Sequence, residues 1–225
     1  MRWGPVMKQA WQAIIVGSMT VLWLSPAAPS IAAGSATEAV RGAIDEVIRI
    51  LSDKEMKQAA RHQERRQRLE TVIWDRFDDR EMAKRALAVQ WTKLNEAERE
   101  EFVRLFRSFL TDAYADKIEG YAGEQVQYLG ERLEESYAEV RTKLLSEKTS
   151  YPMDYRLMEK AGEWVVYDII VDGISLVRNY RGQFERIIRA ESYAALVEKL
   201  RKKSKDITAP KAKGSEPEGP SHGRP

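Results

Sequence analysis

YPMDYRLMEKAGEWVVYDIIVDGISLVRNYRGQF, residues 151–184, reads as two strands joined by a turn, then a short connection and the start of a helix. Tyr151, Met153, Tyr155 and Leu157 alternate with Asp154 and Arg156, the period of two expected of a half-buried strand. Lys160-Ala161-Gly162-Glu163 supplies the turn, with one glycine to relieve the backbone. The second run, 164–171, has a different character. Strict alternation assigns Val165, Tyr167, Ile169 and Val171 to one face, and Trp164, Val166 and Ile170 put apolar groups on the other, interrupted by Asp168. A strand apolar on both faces has to be covered on both. Either core lies on both sides, or core lies on one side and an apolar ligand on the other.

Working outward, 126–133 and 137–146 read as two further strands, with Gly123 and Gly130 as bends. Four consecutive strands form an antiparallel meander most simply. Upstream, Val40, Ile44, Val47, Ile48 and Leu51 recur at helical spacing. Asp78 with Glu81 reads as a capping box opening a helix over 82–91. Asn95 with Glu98 opens the strongest helix, on which Phe102, Leu105, Phe106, Phe109, Leu110 and Tyr114 share one wide apolar face. After Asn179 the pattern returns to helix, with Tyr180, Phe184, Ile187 and Ile188 on one face, and Ser192 caps a last helix. The fold class is α+β: N-terminal helices, a curved antiparallel sheet of about four strands and C-terminal helices, enclosing an apolar cavity. That cavity is expected to be walled by Phe102, Phe106, Phe109 and Tyr114 from the long helix and by Tyr155, Tyr167, Ile169 and Val171 from the strands. Ile174, Val177 and Phe184 would close it. The competing reading makes every one of these residues ordinary core.

The first 33 residues read as a cleaved secretory signal. Arg2 and Lys8 form a basic start, an apolar run spans 10–24, and small residues follow at Ala32, Ala33 and Gly34. The run is too short to span a bilayer, which needs about 20 residues. The chain contains no Cys, so neither a lipid anchor on a thiol nor a disulfide is available. Residues 1–33 carry no acidic residue, so without Arg2 and Lys8 the 37 Lys+Arg fall to match the 35 Asp+Glu. The basic pI of the whole chain therefore gives no reason to expect a nucleic-acid partner. A domain over 34–203 is large enough for a substantial core, and 204–225, which holds four of the eight prolines, reads as a disordered tail. The basic run 57–68 is read as a solvated helix face rather than a docking patch.

Catalytic chemistry is hard to assemble here. The only imidazoles are His62, in a charged helical run, and His222, in the tail. Ser175 in Gly-Ile-Ser-Leu-Val lacks the last glycine of a nucleophile elbow and reads as a turn residue or cap. Asp168 and Asp172 would lie about 13 Å apart on a strand, too far for paired-carboxylate work. No cluster suggests a metal site, no cofactor is expected, and the protein is read as a non-enzyme.

Asp154-Tyr155-Arg156, Trp164-Val165-Val166-Tyr167-Asp168 and Asp172-Gly173-Ile174-Ser175-Leu176-Val177-Arg178-Asn179-Tyr180-Arg181-x-x-Phe184 together resemble the periplasmic phospholipid-binding component of Mla-type transport systems, with similarity from about Ala36 to Lys203. That family is also labelled toluene-tolerance or ABC-transporter substrate-binding protein, the resemblance implies a part in outer-membrane lipid asymmetry, and some relatives are associated with hopanoids. The resemblance implies a soluble, monomeric periplasmic carrier that holds a phospholipid by its acyl chains. It further implies exchange with an inner-membrane ABC transporter complex containing an MCE-type protein, and with an outer-membrane lipoprotein–porin complex. Gly173, Ser175, Tyr180 and Arg181, within the densest part of the match, are expected in structural or headgroup roles. A hopanoid or other polycyclic lipid, or an envelope adaptor that binds no lipid, is the alternative.

Overall fold

The structure, a computed structural model, describes residues 34–146 and 149–208, with backbone alone beyond Lys203. The expected signal segment and most of the expected tail lie outside the described residues. Among those described, six α-helices accompany a curved, unclosed antiparallel sheet. The helices are α1 (Ala36–Ser52), α2 (His62–Trp74), α3 (Asp79–Leu87), α4 (Glu96–Glu119), α5 (Leu176–Ala190) and α6 (Tyr193–Thr208). The strands are β1 (Gln125–Glu134), β2 (Tyr137–Leu145), β3 (Ser150–Lys160), β4 (Glu163–Val171) and β5 (Ile174–Ser175), paired in chain order. The meander is thus the expected one with a short fifth strand added, and α6 continues past the Lys203 boundary.

Local chemistry sets the helix starts. Asn95 and Glu98 form a complete capping box at α4. At α3 only half a box forms: the Asp78 side chain accepts from the Glu81 N–H at 2.8 Å, but the Asp78 N–H donates to the Val166 carbonyl at 2.9 Å. With the Val166 N–H donating to the Arg76 carbonyl at 2.8 Å, residues 76–78 pair with the edge of β4. This docking diverts the donor that the Glu81 carboxylate would have used. The helix expected over 82–91 ends at Leu87, because Ala88 takes a positive φ of 48° and a 3₁₀ segment follows to Lys93.

One irregularity corrects the strict alternation read along 164–171. Arg156 pairs with Asp168 while Leu157 pairs with Val166, so Tyr167 is an extra residue on β4. Such a bulge shifts the strand's faces by one residue. Val166 and Ile169, which alternation sets on opposite faces, therefore share the face that α1 covers, opposite Leu157 and Tyr155. Tyr167 packs instead with the helical body, stacked under the Arg85 guanidinium at 4.0 Å.

The buried residues fall into three separate clusters rather than one. The largest joins α3–α6 around Phe102, Phe106, Tyr180 and Phe184. A second lies between α1 (Ala36, Val40) and the sheet (Ala138, Val140, Tyr155, Leu157, Trp164, Val166). A third, around Ile50, Leu51 and Leu69, joins the end of α1 to α2. Phe77, between α2 and α3, packs against both of the first two.

Candidate functional site: an apolar sheet face open at one end

Cross-strand partners share a face, so the registers order the α1-side face into rows. Ala138, Leu157 and Val166 make the first row, Val140, Tyr155 and Ile169 the second. Tyr128, Thr142, Met153, Val171 and Ile174 make the third, and Val126, Leu144 and Tyr151 the fourth. Along β3, β4 and β5 exposure rises in this order, although on β1 Leu133, beside Ala138, is 59% exposed and on β2 Thr142 is 1% exposed. Leu157 is 0% exposed and Tyr155 9%, whereas Tyr151 is 43%, Val171 39% and Ile174 64% exposed. Helix α1 covers the first rows through Ala36 and Val40, and its half-buried Ile44 packs, as do Tyr128, Met153 and Ile169, against the same buried cluster. The remaining rows keep an apolar surface that no described element covers fully. A monomer has no stability reason to extend an apolar face beyond its cover.

The expected wall does not form as one surface. Tyr155, Ile169, Val171 and Ile174 lie together on this face. Phe102, Phe106, Val177 and Phe184 are instead buried in the helical cluster, with Phe109 and Tyr114 half-buried against it. The rings interlock there: Phe106 meets Phe184 edge-on at 5.4 Å and Tyr180 at 5.8 Å. Tyr167 belongs to the opposite face, near Tyr137 at 6.0 Å. On that side a cleft of about 240 Å³ is lined by Arg132, Glu134, Glu139 and Arg156 beside the two tyrosines, so it is charged rather than apolar.

The residues in the densest part of the resemblance serve the join between β4 and α5. Asp172 and Gly173 both take positive φ, 49° and 77°, as an Asp-Gly two-residue hairpin turn requires. Ser175 caps α5, accepting from the Arg178 N–H at 3.0 Å. Its hydroxyl donates to buried Asp168 at 2.6 Å, and the Val177 N–H donates to the other Asp168 oxygen at 3.0 Å. Arg156 stands 3.7 Å from the same carboxylate. Burial pushes the Tyr180 phenol well above its ordinary range, in keeping with its place among aromatic rings. Arg181 is exposed and pairs with Glu185 one turn on, at 2.8 Å. Such a pair contributes about 0.3–0.5 kcal/mol, so Arg181→Ala is expected to move the melting temperature by no more than about 2 °C. Calorimetry checks this, and a larger fall would give Arg181 a structural role that its contacts do not explain.

Sequence reasoning missed Tyr128, Met153 and the Asp168 anchor. Tyr128 and Met153 stand at alternating strand positions, and that signal was legible. Asp168 finds its partners seven and nine residues later, across a turn, and no spacing rule announces that. The basic run is largely paired: Arg65 with Glu119 at 2.7 Å, Arg68 with Glu64 at 2.7 Å, and Arg66 with Asp112 and Glu70. Among the described residues no three His, Cys, Asp or Glu side chains are grouped as a metal would need.

An α+β domain with a curved sheet, one apolar face of which is left open at one end, defines a class of binding protein for apolar molecules. The chain belongs to the MlaC protein family, whose sequence model matches residues 41–202; it is a periplasmic family of binding and transport proteins. Among solved structures it is similar to the phospholipid-binding protein from Ralstonia solanacearum in complex with a phospholipid, with a TM-score of 0.70 and 23% sequence identity. The match covers 77% of this chain and 99% of that one, and it shows that the two share a fold.

Proposed function

We propose that this protein is a periplasmic lipid carrier that holds the acyl chains of a phospholipid against the open half of the α1-side face and moves the lipid between inner- and outer-membrane complexes. The observation that carries this reading is the graded exposure of the apolar residues that β3, β4 and β5 place on one face, from Leu157 at 0% to Ile174 at 64%. Membership of the MlaC family and the phospholipid held by the Ralstonia protein support the choice of cargo. Tyr155, Ile169, Val171 and Ile174, joined by Tyr128 and Met153, are the proposed contacts. The aromatic cluster of Phe102, Phe106 and Phe184 is the rigid body behind them.

The energetics fit carriage without chemistry. Each sequestered CH₂ is worth about 0.8 kcal/mol, so two long chains gain roughly 20 kcal/mol over water. A bilayer offers the same gain, so transfer into the carrier is close to balanced. Release then depends on docking, at an inner-membrane ABC transporter complex with an MCE-type protein and at an outer-membrane lipoprotein–porin complex. Residues 1–33, read as a secretory signal, fit that location.

Ile169→Trp tests the reading. Ile169 is half-buried on the face between Tyr155 and Val171. If the space before it receives acyl chains, the indole fills that space. The melting temperature of lipid-free protein is then expected to hold or rise, while the lipid recovered by organic extraction falls. If the space is ordinary core, overpacking costs about 1–3 kcal/mol. A destabilised variant with undiminished lipid, or a wild type that never carries any, would make the carrier reading wrong.

A further inference from the structure

Two phenol hydroxyls stand where the covered half of the α1-side face gives way to the open half. Tyr128 lies in the third row, and its hydroxyl is buried with no hydrogen-bond partner among the described residues. Tyr155 lies one row deeper, and its hydroxyl runs along the strand to Met153 Sδ at 3.2 Å, in the Tyr128 row. A thioether is a weak acceptor, so this second donor is poorly matched too. The Glu38 and Asp45 carboxylates of α1 act on the Tyr128 phenol through space, but neither accepts a hydrogen bond from it. The Thr142 hydroxyl already donates to the Met153 carbonyl. The Arg41 guanidinium lies 4.0 Å over the Tyr128 ring and pairs with Glu38. Burial raises the pKa of both phenols, so both remain neutral donors at physiological pH.

Buried polar groups in proteins are nearly always paired, and an enclosed donor without an acceptor disfavours the form that contains it. The partner each of these hydroxyls lacks is a good acceptor. Sites for apolar ligands orient their cargo with a few such polar groups. Resting on the carrier reading above, we infer that the Tyr128 and Tyr155 hydroxyls donate to the ester carbonyls of a diacyl phospholipid whose chains lie over Met153, Ile169 and Val171. The pair thereby selects acyl esters over apolar skeletons that offer no acceptor at that depth, the fused rings of a polycyclic lipid included. Loading brings the carbonyls in at the edge of the α1 cover, where half-buried Ile44 has to move aside.

The test is a competition on the full chain. Purified protein is incubated with vesicles holding equal amounts of dioleoyl phosphatidylglycerol and its dioleyl diether analogue, then re-isolated. The ratio of the two lipids in the extract is read by mass spectrometry. Wild type is expected to enrich the diester about tenfold, the scale of one or two neutral hydrogen bonds. Y128F and Y155F are each expected to bring the ratio within about threefold of unity, one such bond having been removed. Because the ratio is internal to each sample, a variant of low folded yield still answers, and each variant checks the other. A wild type that loads both lipids equally, or an undiminished preference in both variants, overturns this inference and leaves the carrier reading standing. A wild type that takes up neither lipid overturns both.

Discussion

Phe106→Ala is expected to lower stability by about 3–5 kcal/mol, whether or not lipid is bound. Phe106 is 1% exposed and meets Phe102, Tyr180 and Phe184 at ring-centroid distances of 5.8, 5.8 and 5.4 Å. Its truncation removes a large buried surface and three aromatic contacts from the cluster that joins α4 to α5. For a domain of this size the loss corresponds to a fall in melting temperature of roughly 10 °C. Differential scanning calorimetry on delipidated and lipid-loaded samples measures it. The comparison separates two roles for the α4 aromatics. If Phe106 were a cavity wall, its loss would be mild without lipid and would enlarge the space for cargo. An unchanged melting temperature in the delipidated variant would therefore return Phe106 to the lipid site.

The second large effect is expected at the join between sheet and helix. Asp168→Ala removes a buried carboxylate that accepts from Ser175 Oγ at 2.6 Å and the Val177 N–H at 3.0 Å, and leaves Arg156 without one of its two acidic neighbours. Hydrogen bonds to charged groups contribute about 1.5–3 kcal/mol, and a buried donor left unpaired costs a similar amount. The variant is expected to lose about 2–4 kcal/mol on that basis. Asp168→Asn, which keeps the shape and one acceptor oxygen, should lose less. Ser175→Ala, which removes the α5 cap, should cost about 1 kcal/mol. Urea unfolding of the three variants orders them. Equal midpoints for Asp168→Ala and wild type would show that the carboxylate does not hold α5 to the strand.

These two sites mark where sequence and tertiary structure divide the work. Periodicity decided the elements: the alternation of Tyr151, Met153, Tyr155 and Leu157 is the alternation of β3, and Asn95 with Glu98 caps α4. Both signals are local. They depend on neighbours one to four residues away, which a single sequence displays. The α+β class and the chain-order meander followed, because short turns leave consecutive strands little choice but to pair.

Which apolar residues share a surface was decided only by the tertiary structure. Phe102 and Ile169 look equally available in the sequence, yet one is sealed among the rings of α4 and α5 while the other faces a partly covered sheet. One extra residue at Tyr167 set Val166 and Ile169 on the same side of the sheet. A bulge depends on how β3 and β4 align over several residues, and no single strand encodes that. Asp168 likewise reads as a polar interruption of an apolar run until the turn at Asp172-Gly173 brings Ser175 and Val177 back to it. The sequence determined how much apolar surface this chain carries and in which elements. Long-range register and packing decided which part of that surface became core and which part stayed open.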